Sequence, residues 1–263
     1  MQNPKELISA PSYQEGKNVY GIISRPEYAK DIAVIFIAWF ERFWYEQKWR
    51  LLNEELIKNG VTTLQFDFTG LGISEWIYNQ PTLENCMSDL ESIIKKFSAQ
   101  TGISQISLAG HSLGSCIAVV AKNVEALSID KVVLISPALN QKDLNRYWFT
   151  LSTNKDIKIN YDNYKEYFDE EKYQESLQLH QTKKANIIHP DYGIQMSKKD
   201  FNDLIEDDTD MLVIQWDKDS TVPLTSNNHT FTNTITLAGG DHDLEKPEIV
   251  NQRISSAVNF VLP

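Results

Sequence analysis

Cysteine is scarce in this 263-residue chain: Cys86 and Cys116 are the only two, thirty residues apart and with no CxxC pair. That argues against both a disulfide framework and a structural zinc site, which need more cysteines at closer spacing. Positive charge is also short. Lys and Arg number 25 against 36 Asp and Glu, a net charge of −11. A grip on nucleic acid or on anionic lipid needs clustered positive charge, so neither partner is expected. The longest apolar run, Ile32–Phe40, has the length of a buried strand and falls well short of the about 18 residues of a membrane span. Residues 1–10 carry no apolar stretch behind a basic end, so no signal peptide is read there and a cytoplasmic location is expected. Aromatic residues, by contrast, are plentiful: 6 Trp, 11 Tyr and 11 Phe. With 41% apolar and 23% charged residues, the composition is that of a globular chain able to bury a sizeable core.

Apolar, β-branched runs alternate with helical patterns. Ile32–Ala38 is apolar throughout, as strands covered on both faces tend to be. An amphipathic helix over Gln47–Asn59 is expected to end at Gly60. A strand at Val61–Phe66 follows, then a helix over Thr82–Ala99 with Thr82 as N-cap. Gln105–Ala109 reads as a strand and Leu113–Asn123 as a helix. Further strands are expected at Lys131–Ile135, Met211–Trp216 and Thr234–Leu237, and a closing helix at Pro247–Phe260. Leu7–Ile23 reads as an antiparallel lead-in hairpin. The alternation predicts an α/β fold with a mostly parallel sheet between helical layers. One connection is too long for that rhythm: 75 residues, 136–210, separate two strands. This insertion is rich in aromatics, and Tyr161, Tyr164, Tyr167 and Phe168 are spaced to share one helical face.

Between a strand and a helix lies Gly110-His111-Ser112-Leu113-Gly114. This is the G-x-S-x-G nucleophile elbow in the strand–turn–helix setting that gives it meaning. The turn is so sharp that residues two positions either side of the serine must be small. The serine then stands at a helix N-terminus, where free N–H groups favour developing negative charge. A serine hydroxyl needs a base, and the base an orienting carboxylate, in the chain order Ser, Asp, His. His180 and His189 fall in the insertion, and His229 precedes the last strand and reads as a surface or packing residue. His242 follows that strand in Ala238-Gly239-Gly240-Asp241-His242, a strand-end loop where ligand-facing residues of an open α/β sheet lie. Two carboxylates, Asp217 and Asp219, follow the preceding strand and qualify as the orienting acid.

These pieces together resemble the α/β-hydrolase-fold serine hydrolases over nearly the whole length. Besides the elbow, Asp67-Phe68-Thr69-Gly70-Leu71-Gly72-Ile73-Ser74 resembles the family's D-x-x-G-x-G-x-S turn, and Asp219–Pro223 its D-x-x-V-P. The chain is most similar to small bacterial carboxylesterases of the feruloyl/cinnamoyl type. The resemblance implies a three-layer α/β sandwich of about eight strands, with a hydrolase core over 1–138 and 208–263 and an inserted cap over 139–207. It implies Ser112 as nucleophile, Asp219 as acid and His242 as base, with Asp217 held as the fallback acid. No cofactor or metal is implied. The substrate would be a small-molecule acyl ester or thioester. The same residues would serve a thioesterase or acyltransferase acting with an acyl-carrier partner.

One departure stands out. The family usually shows His-Gly after its first central strand, before the residue whose backbone N–H completes the oxyanion hole; here the pair is Ala38-Trp39. By alignment the donors are the amides of Phe40 and Leu113. Trp at a position built for Gly raises the alternative of a weakly active accessory protein on a hydrolase scaffold. Trp39, Phe43, Trp148 and Tyr164 are the candidate aromatic lining of an acyl pocket.

Overall fold

The computed structural model describes residues 4–37, 47–74, 82–182, 191–242 and 247–263. Eight strands form one sheet in the order β1-β2-β4-β3-β5-β6-β7-β8. They are β1 (Lys5–Pro11), β2 (Asn18–Ser24), β3 (Ile32–Ile37), β4 (Thr62–Asp67), β5 (Gln105–His111), β6 (Ile129–Ile135), β7 (Met211–Trp216) and β8 (Thr234–Leu237). The β1–β2 hairpin joins β4 antiparallel, and every pairing from β4 through β3 to β8 is parallel. The α/β architecture read from the sequence is the one observed, and most element boundaries fall within two residues of their expected positions.

The parallel strands are apolar on both sides because both sides are covered. Along β3, Ala33, Ile35 and Ile37 point into the core under α2 (Leu83–Thr101) and α3 (Gly114–Lys122). Ile32, Val34 and Phe36 alternate to the other face, against α1 (Gln47–Lys58) and α7 (Pro247–Val261). Helix ends follow local chemistry. The Thr82 side chain accepts from the Asn85 N–H at 3.3 Å, and Gly102, at φ 74°, closes α2 with its N–H on the Ser98 carbonyl.

The Asp67–Ser74 turn is a closed unit. The Asp67 carboxylate accepts from the Ile73 N–H at 2.9 Å and lies where a side chain on Gly72 (φ 50°) would have to be, 1.8 Å from that Cβ position. Ser74 donates to the Asp67 carbonyl and accepts from the Tyr20 N–H, which ties the turn to β2. Asp89, buried in α2, accepts from the Tyr13 and Thr69 N–H groups and so links the β1–β2 turn, the end of β4 and α2. Burial pushes this carboxyl up, against the N–H and hydroxyl donors that favour its charge.

Between β6 and β7 the described part of the insertion holds α4 (Gln141–Thr153), α5 (Glu170–Thr182) and the short α6 (Tyr192–Met196). A separate apolar core forms here from Ala138, Leu144, Tyr147, Tyr164 and Val222. The expected aromatic helix face does not occur. Residues 164–166 form one 3₁₀ turn, and the rings meet through tertiary contacts: Tyr147 stands edge-on to Tyr161 and Tyr164 at 5.3 and 5.7 Å. Spacing alone suggested a helix where the Asn160 and Asn163 side chains instead accept from nearby backbone N–H groups in turns that stop one.

At the N-terminal edge of the sheet, the Asp208 carboxylate accepts from the Thr232 N–H at 2.8 Å and bonds His229 Nε2 at 3.0 Å. Burial raises this carboxyl, but the Thr232 and His229 bonds outweigh it and hold the group below its usual range. Its contribution to stability is therefore present above the unfolded carboxyl's pKa of about 4 and is lost as pH falls through the lower folded value. Asp208→Asn is expected to be less stable than wild type at pH 7, with the gap closing below about pH 4; urea unfolding across that range measures it.

Candidate active site

The elbow is built by close approach. Ser112 has φ 53°, in the left-handed region that non-glycine residues avoid. A Cβ on Gly110 would lie 2.7 Å from the Gly114 carbonyl oxygen, and one on Gly114 would lie 2.4 Å from the Ile37 carbonyl oxygen. Both glycines are thus required by the backbone around them, α3 pressed onto β3 and onto its own turn. The Ser112 N–H donates to the Ile135 carbonyl at 2.9 Å, which pins the strained residue to β6.

Asp219 lies in the loop after β7. Its Oδ1 accepts from the Thr221 and Val222 N–H groups at 2.9 and 2.8 Å, the turn that the D-x-x-V-P pattern encodes. Oδ2 is left for His242 Nδ1, at 2.8 Å, and the carboxylate is fully buried. His242 Nε2 lies 3.1 Å from Ser112 Oγ. Three side chains from the ends of β5, β7 and β8 thus form one hydrogen-bonded line, in the order expected from the sequence.

Asp217, the fallback acid, accepts the Gly239 N–H at 2.6 Å and fastens the loop after β8 to the loop after β7. Its neighbour Gly240 lies on the Trp216 indole; a Cβ there would meet Trp216 Cδ1 at 1.2 Å. Position 240, on the way to His242, therefore admits no side chain.

His111, the unspecified residue of the elbow motif, was not singled out by the sequence. Its Nε2 lies 3.2 Å from the His242 carbonyl, with the two imidazole rings 4.9 Å apart. A carbonyl only accepts, so His111 carries its proton on Nε2 and donates to the backbone of His242. A titratable residue inside the motif was the available signal.

Among the oxyanion-hole candidates, Leu113 is the N-cap of α3, directly after Ser112. Phe40, Ala38, Trp39 and Phe43 lie outside the described residues. Trp148 and Tyr164 belong to the core beside the Asp219 loop; Tyr164 is buried within it and is not available as a pocket wall. Cys116, four residues beyond Ser112, is a packing residue: buried, its thiol pushed up by burial, donating to the Ala138 carbonyl. Among the described residues no cluster of three or more His, Cys, Asp or Glu could hold a metal ion, and no helix is long and apolar enough to cross a membrane.

The sequence profile of the serine aminopeptidase S33 family (Hydrolase_4) matches residues 45–181. The chain belongs to this family. The matched stretch of this S33 α/β-hydrolase includes Ser112 and ends before Asp219 and His242. No curated protein matches it by sequence. Among solved structures it is similar to Est1E from Butyrivibrio proteoclasticus with bound ferulic acid, at 17% identity and a TM-score of 0.68 over 97% of this chain and 99% of that one. It is also similar to the Pyrococcus furiosus esterase Pf2001, at 16% identity and a TM-score of 0.66 over 98% and 90%. A third likeness is to XC6422 from Xanthomonas campestris, an α/β serine hydrolase without a lid, at 13% identity and a TM-score of 0.61 over 98% and 95%. These likenesses show that the α/β-hydrolase fold of this S33 chain continues into the described residues beyond 181.

Proposed function

We propose that this S33-family hydrolase cleaves carboxylic esters or thioesters through an acyl-enzyme on Ser112. The observation that carries the reading is the continuous line Ser112 Oγ–His242 Nε2 at 3.1 Å and His242 Nδ1–Asp219 Oδ2 at 2.8 Å. His242 takes the Ser112 proton as Oγ attacks the acyl carbonyl. Asp219 keeps the Nδ1 proton in place and stabilises the imidazolium. The Leu113 amide, with that of Phe40 as its expected partner, faces the developing oxyanion. His242 then protonates the leaving alcohol or thiol, and a water activated by the same base releases the acid. Residues 139–207 act as the cap that selects the acyl group. An aromatic acyl ester is the first class to try, given the ferulic acid held by Est1E and the esterase named among the similar structures.

The test is covalent. A fluorophosphonate probe is expected to label the wild type at Ser112, located by peptide mass spectrometry, with turnover of p-nitrophenyl acetate and butyrate alongside. A folded protein that neither labels nor turns over either ester would refute the proposal.

A further inference from the structure

Helix α4 opens the insertion and lies against the loop that carries Asp219. Two neighbouring side chains reach that loop. The Tyr147 hydroxyl donates to the Ser220 carbonyl at 3.0 Å, and the Trp148 Nε1–H donates to the Thr221 carbonyl at 2.7 Å. The Ser220 carbonyl shares its peptide unit with the Thr221 N–H, and the Thr221 carbonyl shares its unit with the Val222 N–H. Those two N–H groups are the donors that hold Asp219 Oδ1. A peptide unit is planar, so an anchor on its oxygen fixes the direction of its N–H. The next carbonyl, of Val222, is held in turn by Gln215 Nε2 at 3.2 Å, and the Val222 side chain packs with Tyr147.

From this we infer that Tyr147 and Trp148 are positioning residues for Asp219: each anchors one of the two peptide units that aim N–H groups at the carboxylate. The inference rests on the serine-hydrolase reading and extends it, because it makes the first helix of the insertion part of the triad's support. Both donors are dependable. An indole N–H can only donate. Burial and the neighbouring Asp219 charge push the Tyr147 phenol up, so its proton stays on. The helix itself is anchored ahead of these residues. Asn140 caps it, and Arg146 donates to the Ser197 carbonyl and pairs with Glu170.

The experiment compares Tyr147→Phe, Trp148→Phe and the double variant with wild type. Tyr164→Phe serves as the packing control: it removes a buried hydroxyl of the same core that has no hydrogen-bond partner among the described residues. Readouts are the rate of fluorophosphonate labelling, kcat and KM for p-nitrophenyl butyrate, the pH profile, and thermal unfolding. Each single variant is expected to lose about 3–10-fold in kcat and in labelling rate, and the double variant about 10–100-fold, with KM within about twofold. The acid limb of kcat/KM is expected to move to lower pH, because a less well-placed carboxylate stabilises the His242 imidazolium less. Tyr164→Phe should match wild type in all of these. The inference is overturned if the wild type labels but the double variant labels as fast. It is overturned equally if lost labelling only tracks lost folded fraction while the acid limb stays in place. A wild type that does not label overturns the hydrolase reading itself, a distinct result.

Discussion

Ser112→Ala should lower kcat for an activated ester by about 10⁶-fold, the scale seen when the nucleophile of such a triad is removed. What remains is water attack assisted by the oxyanion donors and by substrate binding. The loss is chemical and not structural, because the elbow does not depend on the hydroxyl: its geometry comes from Gly110, Gly114 and the Ser112 N–H bond to β6. Ser112→Gly makes the distinction visible. It should lose the same activity while gaining stability on the order of 1 kcal/mol, since glycine accepts the φ of 53° without strain. That corresponds to a Tm rise of about 2–4 °C. Steady-state turnover beside a thermal melt measures both. An inactive Ser112→Gly protein that melts below wild type would show that the serine's backbone is not strained.

The second large effect concerns Asp219→Asn, for which a loss of about 10⁴ in kcat is expected. The direction follows from the hydrogen bonds. Oδ1 accepts two N–H groups, so the amide oxygen of an asparagine must take that place. Its NH₂ then faces His242 Nδ1, which has to accept. The ring proton moves to Nε2, and the atom facing Ser112 can no longer take a proton. Asp217→Asn offers the contrast. Its single acceptor role, toward the Gly239 N–H, is one an amide oxygen can keep, so a far smaller loss is expected. Parallel kcat measurements on the two variants decide between the carboxylates; similar losses in both would contradict the assignment of Asp219.

The fold was legible in the sequence because each strand carries its own burial pattern and each helix its own stops. Met211–Trp216 and Thr234–Leu237 are observed where they were expected, and Thr82 caps α2 as its hydroxyl suggested. Ser112 and His242 were legible for a different reason: Gly110, Gly114 and Gly240 stand where backbone or ring contacts exclude a side chain, whereas Asp219 was separated from Asp217 only by the resemblance of Asp219–Pro223 to the family's D-x-x-V-P turn. What could not be read depends on contacts between distant segments. His111 reaches the His242 carbonyl across 131 residues. Trp148 reaches Thr221 across 73, and nothing near Trp148 announces the pairing. The aromatic run from Tyr161 to Phe168 misled because helical spacing carries no weight where side-chain turns have already set the backbone.

The order of the strands in the sheet has a consequence for synthesis. Ser112 and His242 are 130 residues apart in the chain. The strands around Ser112, β3, β5 and β6, are complete by residue 135, while β8 begins 99 residues later and the His242 loop follows it. The chain is made at about 5–20 residues per second, and a domain generally folds as a unit. For several seconds the elbow sequence exists before the residue proposed as its base has been made. On the proposed function, Ser112 gains its base only when the loop after the last edge strand is in place, so completing the sheet and completing the hydrogen-bonded line are the same event.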